Sequence, residues 1–138
     1  MEKTQAHLQM IQGVINRMAT NSFHLKGWAI TLVSALFALA AKDSAGVFVY
    51  LAYFPAIAFW VLDGFFLHQE KLFRALYDHV RQLPDDQVDF SMDTSTVRKD
   101  VHAWSDVIFS KTMLVFHGVV MATIIFVMFL MSPSNGGN

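Results

Sequence analysis

Three apolar runs and two amphipathic stretches account for most of the chain. The runs are Gly27–Ala41, Val47–Leu67 and Thr112–Met131. A bilayer hydrocarbon core of about 30 Å needs roughly twenty helical residues. The third run supplies twenty, interrupted only by His117, and the second supplies twenty-one, interrupted by Asp63. The first has fifteen residues between Lys26 and Lys42. It spans if both lysines snorkel and Ser22, Phe23 and His24 continue the helix. The pattern therefore predicts an all-α membrane protein with three transmembrane helices, over residues 25–42, 47–67 and 112–131.

The amphipathic stretches predict what stands outside the membrane. In residues 1–24, Leu8, Ile11, Ile15 and Met18 recur at helical spacing, which predicts a cytoplasmic amphipathic helix. Its apolar face needs cover from either the membrane surface or neighbouring helices. With only Lys3 and Arg17 as basic residues before Lys26, protein packing is the favoured cover. Beyond Leu67 the helical pattern continues to Pro84, with apolar residues at 72/73, 76/77, 80 and 83. Residues 84–96 read as an acidic loop, and Thr94, Ser95 or Thr96 can cap a following helix. That helix is marked by Val97, Val101, Trp104 and Ile108 and merges into the third run. Residues 68–111 thus form a predicted helical hairpin that extends the second and third spans, with 132–138 as a short polar tail.

Charge orients this architecture. Of ten Lys and Arg, nine (Lys3, Arg17, Lys26, Lys71, Arg74, Arg81, Arg98, Lys99, Lys111) fall on one side of the three runs, and only Lys42 on the other. Short loops rich in Lys and Arg stay cytoplasmic, so the N terminus is expected inside and the tail outside, in the periplasm. A hydrophobic share of 54% exceeds that of an ordinary soluble domain. The length fits one domain, and no internal repeat stands out. With no Cys, disulfides, thiolate metal sites and Cys catalysis are excluded. Ala38-Leu39-Ala40 matches the small-residue pattern ahead of a signal-peptide cleavage site. The long patterned region before it, and the two runs after it, favour a retained helix.

Asp63 and His117 are the polar residues that most need explaining. Both fall near the inner ends of their spans, where ionisable groups face protein or water and often mark ion or proton paths. Asp63 can pair with Lys26, Lys71 or Lys111, and His117 lies at similar depth, so the two can meet between helices. Either they gate a path or they are packing contacts. Neither has a second His or carboxylate at i+3 or i+4 to make a metal site. Lys71, Arg74, Asp78 and Arg81 form one stripe of the hairpin's first arm. Arg98 and His102, with Lys99 beside them, face it from the second. Such a basic strip suits a phosphate-bearing ligand such as a lipid headgroup, a nucleotide or an oligonucleotide. Charge sorting alone also accounts for it. No phosphate loop, catalytic dyad or nucleophile constellation is present, so an enzyme is not expected and no cofactor is called for. Ser34/Ala38, Ala52/Ala56 and Gly118/Ala122 place small residues four apart in each run, a pattern of close helix packing and self-association. Pro55 is expected to kink the second span. A unit this small encloses no channel, so a conducting path requires the symmetry axis of a homo-oligomer, a tetramer being one form. The apolar third span suits a hydrophobic gate in such a path and equally suits lipid contact, which is the favoured reading.

The stretches Asn16-Arg17-Met18-Ala19, Asn21-Ser22-Phe23, Leu25-Lys26-Gly27-Trp28, Leu62-Asp63-Gly64-Phe65-Phe66-Leu67 and Glu70-Lys71-Leu72-Phe73-Arg74-Ala75-Leu76-Tyr77 resemble small multi-pass bacterial proteins of the broad SLATT-like kind. The chain is also similar to Hailong-type membrane effectors of antiphage systems that signal through nucleotides. The resemblance covers roughly residues 8–81. It implies an oligomeric channel or membrane-disrupting effector of the bacterial inner membrane, controlled by a nucleotide ligand. No ligand contact is carried across from it. The alternative is a non-conducting scaffold that docks a soluble partner protein.

Overall fold

A computed structural model describes residues 1–43 and 45–132. The chain is 82% helix without strands among these residues, and three helical segments are long and apolar enough to cross a membrane. Helix α1 (Glu2–Asp43) is followed by α2 (Val47–Leu51), α3 (Tyr53–Val80), α4 (Trp104–Ile108) and α5 (Lys111–Met131). The polar tail from residue 133 onward lies outside the described residues.

The amphipathic N-terminal segment and the first apolar run, expected as separate elements, form one uninterrupted helix. At 1.5 Å per residue the 42 residues of α1 reach about 63 Å. One inward stripe runs its whole length: Thr4, His7, Ile11, Ile15, Met18, Ser22, Lys26, Ala29, Val33, Phe37 and Ala40, every one buried or half-buried. The spacing 3-4-4 repeats every eleven residues. That is 3.67 residues per turn, close enough to the natural 3.6 for a nearly straight helix to hold its stripe against one neighbour. The neighbour is α3, which returns antiparallel to α1.

The second run breaks at Ala52, between α2 and α3. Pro55 explains the position: it has no N–H to give the Leu51 carbonyl, and its ring crowds that carbonyl. Ala52 bonds instead to the Val49 carbonyl in a tighter turn (3.1 Å). The small pair Ala52 and Ala56 is buried, and joins Val33, Ala40, Val49 and Ile124 in a lower core. Ser34, Ala38 and Ala122 stay on the surface, and Gly118 is only half-buried. An upper core gathers Ile11, Ile15, Leu76, Val80 and Val97, so protein packing covers the N-terminal half of α1.

The expected second arm of the hairpin is not a helix. Arg98–Asp100 is a single 3-10 turn, Val101 is extended, α4 spans five residues and a further break precedes α5. Two causes act together. Asp93 captures both the backbone N–H and the hydroxyl of Ser95 (2.9 Å each), a local closure that competes with helix initiation. Thr94, Ser95 and Thr96 accordingly cap no α-helix. In addition, Val97 is buried in the upper core while Val107 and Ile108 are buried lower down, and Trp104 is exposed. A continuous helix would instead present 97, 101, 104 and 108 as one stripe. The end of the molecule around the upper core is therefore a helical pair, α1 with α3, wrapped by an irregular strap of residues 81–103.

Candidate functional site

Between the two apolar cores lies a polar layer built from three helices. α1 contributes Ser22 and Lys26, one turn apart; α3 contributes Asp63; α5 contributes His117. Asp63 is 0% exposed and His117 1%. The Lys26 ammonium donates to Asp63 Oδ2 (2.5 Å) and to Ser22 Oγ (2.8 Å). Ser22 donates in turn to Asp63 Oδ1, closing a ring of three side chains. His117 Nε2 lies 2.8 Å from Asp63 Oδ2. A carboxylate only accepts, so this nitrogen carries the proton and donates. Of the three lysines within reach of Asp63 by sequence, Lys26, Lys71 and Lys111, the fold selects Lys26.

Aromatic side chains and a short helix seal the layer. Trp60 stacks on the His117 ring at 5.7 Å between centroids and 3° between planes, and Phe116 meets it edge-on at 5.0 Å. The Trp60 indole N–H donates to the Ile108 carbonyl (3.0 Å), which ties α4 to α3. Ile108 then lies over Gly64. A Cβ at Gly64 would collide with Ile108 Cγ1, so the approach requires glycine. The Lys26 ammonium sits 5.7 Å from the Phe116 ring and remains 24% exposed, leaving the pair an edge toward its surroundings. Chemically the layer is balanced: one carboxylate accepts from an ammonium, a hydroxyl and an imidazole. It can lock three helices in register, and it can break only if several bonds break together.

The basic strip is arranged differently. Lys71 and Arg74 are exposed on α3 and Arg81 at its C-cap, Arg98 and Lys99 are exposed on the 3-10 turn, and His102 is exposed on the extended linker. Arg98 and His102 do not share a helix face. Arg74 is bound to Glu70 within α3 (2.8 Å), and Arg81, at the C-cap of α3, to Asp78 (3.4 Å). Lys71, Arg98 and Lys99 thus remain as the less committed positive charges of the strip.

The strap is fastened at the head of α1. Asp85 Oδ1 lies 2.8 Å from the Thr4 hydroxyl and 3.3 Å from the Thr4 backbone N–H, and Asp85 Oδ2 pairs with the Met1 amino group. A carboxylate at a helix N-terminus also opposes the positive end of the helix dipole. The Met1 ammonium first, and the Thr4 hydroxyl next, hold Asp85 well below the ordinary carboxylate range. Farther along, His7 bonds the Ser91 carbonyl (2.9 Å) and packs against Phe90, whose φ of 57° is unusual for an aromatic residue. The Ser95 backbone N–H and then its hydroxyl hold Asp93 below its usual value.

The sequence pattern singled out neither Ser22, Trp60 nor His7. The signal for Ser22 and His7 was present in the eleven-residue spacing, which puts both on the same stripe as Ile11, Ile15 and Val33. Trp60 carried no signal apart from its apolar surroundings. No family model, characterised protein or solved structure matches the chain.

Proposed function

We propose that this chain is an integral protein of the bacterial inner membrane, with its N terminus cytoplasmic and its C terminus periplasmic. It self-associates there into a channel or membrane-disrupting effector controlled from its cytoplasmic end. The observation that carries the reading is the packing of α5. Of its twenty-one residues, only Met113, His117 and Ile124 are buried. The most apolar helix of the chain thus leaves most of its circumference to lipid or to other copies. Val115, Val119, Phe126, Phe129 and Leu130 are all exposed on it. The surface positions Ser34, Ala38 and Ala122 are small enough for close approach of a second copy. The three-helix unit is packed at its centre, so a conducting path lies on the symmetry axis of the assembly. Control from the cytoplasmic end is supported by continuity: α1 and α3 run unbroken from the strap-covered end to the polar layer. An anionic ligand of nucleotide type would contact Lys71, Arg98 and Lys99, with Arg74, Arg81 and His102 at the margin. An antiphage role follows from the resemblance to SLATT-like and Hailong-type effectors, and is proposed on that basis alone.

The test has two parts. Mass measurement of the detergent-solubilised particle should give a discrete oligomer, and the reconstituted protein should pass ions in liposomes in a manner changed by nucleotides. A monomer, or silence under every nucleotide tried, would sink the channel reading. The second reading, a non-conducting scaffold for a soluble partner, is favoured by the exposed strap and by the ion pairs that already occupy Arg74 and Arg81. Stoichiometric co-purification of one soluble protein with a non-conducting particle would establish it.

A further inference from the structure

α1 and α5 both pack on α3 and approach each other less closely, so a groove of about 470 Å3 opens between them. Ile30, Val33 and Phe37 form one wall, and Phe116, Val119 and Val120 the other. From Ile30 to Phe37 is about 10 Å of helix, most of one leaflet's share of a hydrocarbon core about 30 Å thick. Its only polar side chains are hydroxyls, and that of Thr123 already donates to the Val119 carbonyl (2.8 Å). Neither Gly27–Ala41 nor Thr112–Met131 carries a carboxylate. One end of the groove carries a cation. Lys26 precedes Ile30 by one turn, on the stripe that includes Val33 and Phe37, and its ammonium lies 5.7 Å from the centre of the Phe116 ring. Of the three N–H groups of an ammonium, two go to Asp63 and Ser22, and no hydrogen bond among the described residues takes the third. Exposure divides the ion pair unequally, with Lys26 at 24% and Asp63 at 0%. The layer therefore presents its cation and conceals its anion. Lys111, exposed one turn before Val115, adds a second positive charge at the same end.

We propose that this groove binds one anionic phospholipid of the inner leaflet, its acyl chain laid between α1 and α5 and its phosphate accepting the third N–H of Lys26. The site rests on the reading that α1 and α5 cross the membrane with Lys26 at the inner boundary, and it stands whether or not the chain conducts. Two competitors fit less well. A free phosphate-bearing solute would leave the apolar walls uncovered. A second copy would bring apolar runs whose single carboxylate, Asp63, is buried in its own layer, so it would offer Lys26 no anion. Among the small surface residues Ser34, Ala38 and Ala122, only Ser34 lines the groove, so the two alanines stay clear for contact between copies.

The probes are phosphatidylglycerol and phosphatidylcholine with identical oleoyl chains. Flotation with vesicles of the phosphatidylcholine comes first: a chain that does not float refutes the membrane reading and the site with it. The floating full chain, extracted in detergent, is then titrated with each lipid and read by native mass spectrometry. One phosphatidylglycerol per chain should be retained, about fivefold or more tighter than phosphatidylcholine, the worth of one basic residue near a membrane surface. Val119→Trp, at a position 63% exposed, fills the groove without touching the polar layer. It should weaken phosphatidylglycerol by about tenfold or more, the burial of about two methylenes, with thermal unfolding and particle mass unchanged. Lys26→Met should erase the preference for the anionic lipid; should that variant fail to fold, Val119→Trp decides alone. Four results would each overturn the proposal: equal affinity for the two lipids, a preference retained in folded Lys26→Met, unchanged phosphatidylglycerol affinity in Val119→Trp, or a changed particle mass in that variant, which gives the groove to a second copy.

Discussion

Removing Lys26 alone from the polar layer should cost more than removing Lys26 and Asp63 together. Lys26→Met keeps the aliphatic stem and leaves the Asp63 carboxylate, 0% exposed, with only Ser22 and His117 as donors. Stranding one member of a buried ion pair costs about 3–5 kcal/mol, whereas replacing the whole pair by apolar groups of similar volume is often neutral. Asp63→Leu is milder, because Lys26 is 24% exposed and can turn its ammonium outward, so about 1–3 kcal/mol is expected. The double variant should then be less destabilised than Lys26→Met alone, giving a coupling of about 2 kcal/mol or more. Thermal unfolding in one detergent, followed by tryptophan fluorescence, reads this directly, since Trp60 stacks on the layer. For a chain of this size the Lys26→Met loss corresponds to roughly 10 °C or more. If the single effects simply add, or if Lys26→Met unfolds like the parent, the layer is not a coupled lock and the reasoning fails.

Gly64→Ala should lower stability by about 1–3 kcal/mol despite alanine's better helix propensity, because its methyl group meets Ile108. Trimming the neighbour in Gly64→Ala/Ile108→Ala should recover the Trp60 emission shift that marks loss of the indole bond to α4. Asp85 gives a pH prediction. Its carboxyl is held below its unfolded value, so its contribution is complete above about pH 4 and is lost as pH falls through the folded value. The protection factors of amides at the first turn of α1, taken relative to intrinsic exchange at each pH, should therefore fall in acid; unchanged protection factors would show that the strap is not fastened there. Ile11→Ala, in the upper core, should cost about 2–5 kcal/mol, while Phe129→Ala on the exposed face of α5 should leave unfolding of the single chain alone and shift self-association in detergent. An unaltered particle mass for Phe129→Ala would remove that face from the assembly contact.

Periodicity and charge alone determined a good deal about this protein. The three apolar runs, the helical stretch after Leu67 and the apolar face of residues 8–18 are visible because burial in a helix repeats every three to four residues. The meeting of Asp63 with His117 was legible too, since equal depth in antiparallel helices brings residues level. The tertiary structure alone decided which lysine answers Asp63, because that depends on the rotation of α1 about its axis. Rotation is set by the summed eleven-residue stripe and by no single residue. It also decided the fate of residues 97–110. Their helical spacing was real, but Val97 and Ile108 are buried against different levels of α3, and Asp93 closes a local turn on Ser95 first. A periodic pattern reports which residues seek burial; only the packed neighbours determine where each finds it.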